Sequence, residues 1–530
     1  MEQQRSYRAD FIIIGGSLGG TAAALAAVRA GMKVVMTEET DWIGGQLTSQ
    51  AVPPDEHRWI ESFGCTASYR EFRNRVREYY RVNYPLTEEA RQNPMLNPGN
   101  GWVSRLCHEP KVALRVLEDM LFPYIQSGRL EILYHTKVNK AETSEDIITS
   151  VIVRNQNGQD ILLQGAYYLD ATDCGDLLPL AGAEFGMGAE SRTITGEPHA
   201  LDRADPLDMQ SITYVGAVQY VEGGDFVIDR PEDYFFWQKY KPDFSRFPIL
   251  SWYASDANDM TQMKEFTMFP NDFGIMSLWD YRRIVDTSLF SRSLYGGEIT
   301  LLNWPQNDYY LGPIIGVSPE ERSRHLRFAR SLTLSLIYWL QTEAPRIDGG
   351  KGYPGIGLCG GTLGTKDGLA KMPYIRESRR IKALYTITEH DVSKELRGPA
   401  GIKRYKDSVG VGSYHLDLHP TTVSQRSFYI PSYPYEIPLG SLIPVRIKNL
   451  LPACKNIGMT QIANGCYRLH PTEWNIGESA ALLAVYAVSS NLRPYEIRES
   501  AEHLNCYQEL LQNHGVELHW PDNLDVHTLK

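Results

Sequence analysis

The spacing of apolar and polar positions changes character along the chain. Phe11 to Ile14 is an unbroken apolar run, the pattern of a strand buried on both faces of a parallel sheet. Thr21 to Ala30 is alanine-rich and favours a helix, Gly31 stops it, and Val34 to Met36 supplies a second buried strand. Together these predict a βαβ unit near the minimum length, with a right-handed crossover. An amphipathic, arginine-rich pattern predicts a helix from about Tyr69 to Tyr80, and a second helix spans 109–128, ending at Gly128. Between 130 and 172 the period drops to two, as in strands, and "NQNG" (155–158) marks a hairpin turn.

From about 200 to 345 the pattern dissolves into aromatic clusters among prolines, as in "YFFWQKYKPDF" and "NWPQNDYY". Such a stretch suits a separate cap or substrate region better than a nucleotide-binding core. It ends in a long helix over 323–345, stopped by Pro345. Nucleotide-domain character returns at "LIPVRIKNLLPACKNIG" and closes with "NIGESAALLAVYAVSSN", an apolar helix expected to open at Asn475, Ile476 and Gly477. The expected fold is therefore α/β: a Rossmann-like domain split over 1–200 and 430–500, with an inserted, aromatic-rich α+β substrate or cap region over 201–429. Residues 501–530 form a C-terminal extension.

Composition narrows the functional classes. With 42% hydrophobic residues in 530, the chain can bury a large core. A net charge of -11 argues against nucleic acid as a partner, because phosphate contacts need clustered Lys and Arg. The seven cysteines form no CxxC pair, so neither a bound metal nor a dithiol redox centre is expected. The polar N-terminus resembles no signal peptide and no apolar run is long enough to span a membrane, which points to a soluble, cytoplasmic protein.

"IIIGGSLGG" follows the first strand and opens the first helix, as a G-x-G-x-x-G phosphate loop does. Gly15 stands first, Ser17 in place of the second glycine, and Gly20 third, with Gly16 and Gly19 as extra relief. Glu38 ends the second strand where a carboxylate accepts ribose hydroxyls, with Glu39 beside it. A second glycine run, "GIGLCGGTLG" (355–364), lacks both strand and helix and is expected to be a flexible loop.

These motifs, with "DWIGGQLTSQAVPPDE", "DATDCGDLLPLAGAEF", "MPYIRESRRI", "YEIPLGSLIP" and "RLHPTEWNIGESAALLAVYA", resemble the FAD-dependent oxidoreductase family of the glutathione-reductase-like superfamily along nearly the whole chain. Ser17 departs from that family's usual glycine. The resemblance implies noncovalent FAD, with Gly15, Ser17, Leu18 and Gly20 at the pyrophosphate and Glu38 at the adenosine ribose. It further implies Gly44, Gly45 and Gln46 along the diphosphate and ribityl chain, and Ala171, Thr172 and Asp176 beside the cofactor. Asn475, Ile476 and Gly477 would aim a helix N-terminus at the flavin.

A flavin oxidoreductase needs a proton acceptor near the substrate, and histidine suits that task. In "SYHLDLHPTT", His415, Asp417 and His419 would share one face of a strand, with the aspartate between two imidazoles. His470 is a further candidate base, with His108 and His57 behind it. Arg376, Arg379 and Arg380 offer either substrate contacts or framework pairing with Glu377. Trp304, Tyr309 and Tyr310 are either pocket walls or core. The expected activity is oxidation or reduction of a small polar metabolite, hydroxylated or carbohydrate-like, passing electrons to or from a separate partner. The alternative is a lyase or isomerase that keeps FAD for transient redox or for structure.

Overall fold

The computed structural model describes residues 5–256, 259–292 and 296–524. Five parallel strands form the central sheet, in the spatial order Leu450–Pro452, Tyr167–Asp170, Phe11–Ile14, Val34–Thr37, Leu130–Leu133. The first four bury every residue, as unbroken apolar strands in a covered sheet must. The helix Leu18–Arg29 packs on the sheet and against the long helix His470–Ser490. Where they cross, a Cβ on Gly477 would lie 2.0 Å from the Gly19 carbonyl oxygen, so glycine sets the approach of the two helices.

A four-stranded sheet of Ser6–Arg8, Asp160–Gln164, Ile147–Asn155 and Thr136–Ser144 covers one side of this domain. Its hairpin turn holds Gly158 at φ +77°, as "NQNG" anticipates. The helices expected near 69–80 and 109–128 run over Ala67–Asn83 and Pro110–Gln126.

The inserted region has its own hydrophobic core. Arg283–Val285, Ile299–Leu302, Gly216–Tyr220 and Ile356–Leu358 make an antiparallel sheet beside the helix Pro319–Thr342. Trp237, Trp279, Trp304 and Tyr309 fill the space between them. The long helix starts earlier than its apolar period suggests, because Ser318 and Glu321 form a capping box with Pro319 in the first turn.

Two expectations need correction. The 355–364 stretch is not a flexible loop: Ile356–Leu358 is a sheet strand and Gly360–Leu363 one turn of helix. Its glycines admit neighbouring backbone, since a Cβ on Gly355 would sit 2.2 Å from the Val221 carbonyl oxygen. The helix expected to open at Asn475 opens at His470, with Leu469 as its cap and Pro471 in its first turn. Asn475 is already inside the helix and hydrogen-bonds Val409 and Ser479. Residues 1–4 and 525–530 of the expected outer segments lie outside the described residues. Among the described residues no helix is long and apolar enough to cross a membrane.

Candidate functional site

A crevice opens at the carboxyl ends of the parallel strands, where Gly15, Glu38 and Ala171 follow their strands. Gly15 has φ +102°, and a Cβ there would lie 2.4 Å from the Ala171 carbonyl oxygen, so only glycine lets the loop lie against the third turn. Ser17 is the helix N-cap: its Oγ accepts the Gly20 N–H at 3.2 Å, and the residue lines the crevice. Gly16 makes room for Glu38, whose Oε2 would stand 2.7 Å from a Cβ at that position.

Glu38 is buried and accepts the Thr40 N–H at 2.7 Å and the Thr40 hydroxyl at 2.6 Å through Oε1 alone. Burial pushes its carboxyl up to about 7, against the pull of those two bonds. Oε2 is left to accept a ligand's hydroxyls. Glu39 also lines the crevice and pairs with Lys137 at 2.9 Å. Thr172 and Asp176 lie on the opposite wall, where Arg379 bonds Asp176 at 2.8 Å.

The first-turn N–H of Gly19 is taken by Glu473 Oε1 at 3.1 Å. Glu473, Asp173 and Cys454 bring three metal-type ligand atoms within 4.8 Å of one another. The Lys455 ammonium contacts all three, at 3.6, 2.5 and 3.6 Å, so the cluster already has its cation. Gln46 donates to Glu473 and, at 2.9 Å, to the Arg468 carbonyl, while its Oε1 has no partner.

Arg468 leads from the crevice to a second polar region. Its guanidinium donates to Tyr374 Oη at 2.6 Å and to Asp417 at 3.1 Å. Tyr374 adjoins Ile375, which lines the crevice. Arg282 approaches Asp55 at 3.6 Å, and the Asp55 N–H donates to His470 Nδ1 at 3.0 Å. Burial works against the charge on Arg282, but Asp55 and the Tyr281 and Tyr414 phenols outweigh it and raise its pKa. Tyr414 is itself raised by burial, then by Asp55 and Asp417. Arg282 Nε and Nη1, Arg468 Nε and His470 Nε2 are all buried without a hydrogen-bond partner. Native structures rarely leave such groups open, because each forfeits its hydration for nothing. These open groups come from separate segments of the chain.

The three candidate histidines differ. His470 accepts at Nδ1, so its ring proton sits on Nε2, and burial holds its pKa well below the usual value. It presents a donor. His419 lies between Asp308, 2.7 Å from Nδ1, and Asp417, 3.3 Å from Nε2. The expected order is inverted, with the imidazole between two carboxylates and both nitrogens engaged. His415 stacks on Tyr429 with ring centroids 4.3 Å apart, and its Nδ1 has no partner. Burial lowers its pKa, so the ring is neutral with one nitrogen bare. His108 and His57 donate to the Glu109 and Gly64 carbonyls, and burial pushes each to about 4.

Other candidates are framework. Arg376 bonds Asp308 at 2.9 Å, Thr213 and the Ser211 carbonyl, and Arg380 is buried against Glu377. Trp304 and Tyr309 are buried in the inserted core, with Tyr309 bonded to His325 at 2.6 Å. Gly15, Gly16, Ser17, Glu38, Glu39, Gly45, Ala171, Thr172 and Asp176 line the crevice, and the other residues expected at the cofactor are not among its lining. The chain pattern missed Asp55, Tyr281, Arg282, Tyr374, Tyr414 and Arg468 as site residues. Arg468, two positions before His470, had the only local signal.

A family model for FAD dependent oxidoreductases matches residues 10–512. No curated protein matches the chain. Among solved structures, the reductase-like Ta0516 of Thermoplasma acidophilum shares 10% identity over 96% of this chain and 85% of its own, with TM-score 0.32. The myxobacterial FAD-dependent halogenase CndH shares 16% over 42%, with TM-score 0.22, and this chain spans 45% of its length. The glycerol-3-phosphate dehydrogenase of Bacillus halodurans, complexed with FAD, shares 13% over 40% of each chain, with TM-score 0.23. At TM-scores this low the likenesses carry no weight for function. The crevice itself fits FAD: a glycine cradle no Cβ could enter, a capping hydroxyl, and a carboxylate oxygen open to ribose hydroxyls.

Proposed function

This chain belongs to the FAD-dependent oxidoreductase family, and from that premise we propose that it oxidises or reduces a small polar metabolite held beside Asp55, Arg282 and Arg468. The observation that supports this reading most is the set of buried, unpartnered polar atoms there, one segment away from the crevice. Bound FAD supplies hydride or electron transfer at its ring nitrogen N5. The Gly15–Gly20 turn would hold the diphosphate, with the Ser17 hydroxyl beside it, and Glu38 would hold the ribose, with no covalent link. His415 accepts the proton that a hydroxyl or amine loses on oxidation, through its bare Nδ1. His470 keeps its proton on Nε2 and donates to an oxygen of the ligand, oriented by the Asp55 N–H. His470 is fully buried, whereas His415 is half-buried and stacked on Tyr429.

Anaerobic mixing of the purified yellow protein with hydroxylated and amino-bearing metabolites tests this reading. Bleaching of the flavin band by one of them is the expected result. A bound flavin that none of them bleaches, and that no reduced donor or oxidised acceptor cycles, would favour the lyase or isomerase alternative and sink this one.

A further inference from the structure

The crevice at the ends of the parallel strands is walled in part by the inserted region. Arg322, near the start of the long helix Pro319–Thr342, lines it together with Gly15, Gly16 and Ser17 of the loop. No motif along the chain singles this arginine out.

Its guanidinium is tied to the turn after the Tyr167–Asp170 strand rather than to a counter-ion. Nη2 reaches the Cys174 sulfur at 4.0 Å, and the side chain makes no other hydrogen bond or ion pair among the described residues. Burial pushes the Cys174 thiol up to about 12, so it carries no charge to balance the guanidinium. The same turn abuts the glycine loop. A Cβ on Gly15 would lie 2.4 Å from the Ala171 carbonyl oxygen and 2.7 Å from the Thr172 nitrogen. Arg322 and the loop therefore meet one turn and share one crevice.

The other charged residues of that wall are engaged. Glu39 pairs with Lys137 at 2.9 Å, Asp173 with Lys455 at 2.5 Å and Asp176 with Arg379 at 2.8 Å, while Glu38 accepts both Thr40 donors. Of the two cations in the lining, Lys137 has its carboxylate and Arg322 has none among the described residues.

We propose that Arg322 binds the diphosphate of FAD, so that the inserted region contributes a cofactor contact beside the Gly15–Ser17 turn. The diphosphate is the only anionic part of that cofactor, and the guanidinium fork matches phosphate oxygens in charge and geometry. The backbone N–H groups of the loop carry only partial charge, and that of Gly19 is already taken by Glu473. This assignment rests on the crevice as the seat of FAD and gives it the full positive charge that the glycine loop lacks.

Release of flavin from the diluted holoprotein, followed by its fluorescence, gives the FAD dissociation constant. ADP or adenosine added during rebinding gives theirs as competitors. Arg322→Met should weaken FAD and ADP alike by about tenfold or more, and adenosine, which has no phosphate, by less than about twofold. Arg322→Lys keeps the charge without the fork and should recover part of the ADP affinity. A residue that only packed the crevice would lower adenosine as much as ADP, and that result overturns the proposal. FAD and ADP affinities untouched by Arg322→Met overturn it too, with the crevice still standing as the cofactor's seat. Failure of ADP to compete in the wild type overturns that seat and the proposal together. Should Arg322→Met be purified colourless, Arg322→Lys decides: a loss for ADP but not for adenosine supports the contact, and equal changes in both overturn it.

Discussion

Around Gly15–Gly20, most partners that shape the loop lie within a few residues or on the adjoining strands: Thr37 for the Gly15 N–H, Ser17 for Gly20, Ala171 across the turn, with Glu473 on the Gly19 N–H the distant exception. Around Arg282 the neighbours come from positions as distant as Asp55, Tyr374, Tyr414 and Arg468, and several polar atoms stay open. The loop is a rigid receptor finished by backbone geometry. The cluster is closed by side chains from distant segments and keeps open polar atoms. Damage to the first should show as lost cofactor, and damage to the second as lost turnover with the cofactor retained.

The largest effect should come from Arg468→Met, which strands Asp417 and Tyr374 together. Breaking one side of a buried charged pair costs about 2–5 kcal/mol, so kcat/KM should fall about a thousandfold while the flavin spectrum persists. Gly15→Val should act on the other region: a side chain forced against the Ala171 carbonyl at φ +102° should weaken FAD binding by about a hundredfold, read as colourless purified protein. If Arg468→Met were to lose FAD instead, the two regions would not be separable as described.

His470→Asn sharpens the contrast within the cluster. Asparagine can still accept the Asp55 N–H but lacks the donor at Nε2, so kcat should fall about thirtyfold with FAD retained, the worth of one buried hydrogen bond near 2 kcal/mol. Glu38 gives the crevice a pH signature. Burial holds its pKa near 7 before the ribose binds, above the unfolded value of about 4.3. Only the ionised carboxylate accepts both ribose hydroxyls, so FAD affinity should drop about tenfold between pH 8 and pH 6, and Glu38→Gln should flatten that slope. The same raised pKa makes the apoprotein lose stability as pH rises from about 4 to 7, because the native state keeps a proton the unfolded chain has released. Smallest of all, Ser17→Ala removes a helix cap and one phosphate donor, a loss of about 1 kcal/mol in melting experiments and about fivefold in FAD affinity.

Much of the crevice was legible because its determinants are local. Apolar runs specify buried strands, glycines specify the turn, and Glu38 follows from the length of the second strand. Ser17 was placed in the phosphate loop, but its role as cap of a helix that starts at Leu18 rather than Thr21 came only from the structure. Less of the cluster was legible. Asn475–Gly477 looked like the start of a helix, yet it begins at His470, five residues earlier, and Gly477 serves the crossing with Gly19. The alternation of His415, Asp417 and His419 was visible along the chain, but not that Asp308 would arrive from the inserted region on the far side of His419. Aromatic richness over 200–345 likewise looked the same for a core as for a pocket, until Trp304 and Tyr309 were seen filling the inserted core.

What the chain by itself determined is the nucleotide end of the protein: a βαβ unit, its glycine turn, its acid and its family. These depend on backbone conformation and on contacts between neighbouring strands, which short-range pattern encodes. Which side chains form the buried polar cluster was decided only by the tertiary structure. Arg282, Asp55, Tyr374, Tyr414 and Arg468 acquire a role by being desolvated together, and desolvation belongs to the packed molecule rather than to any one segment.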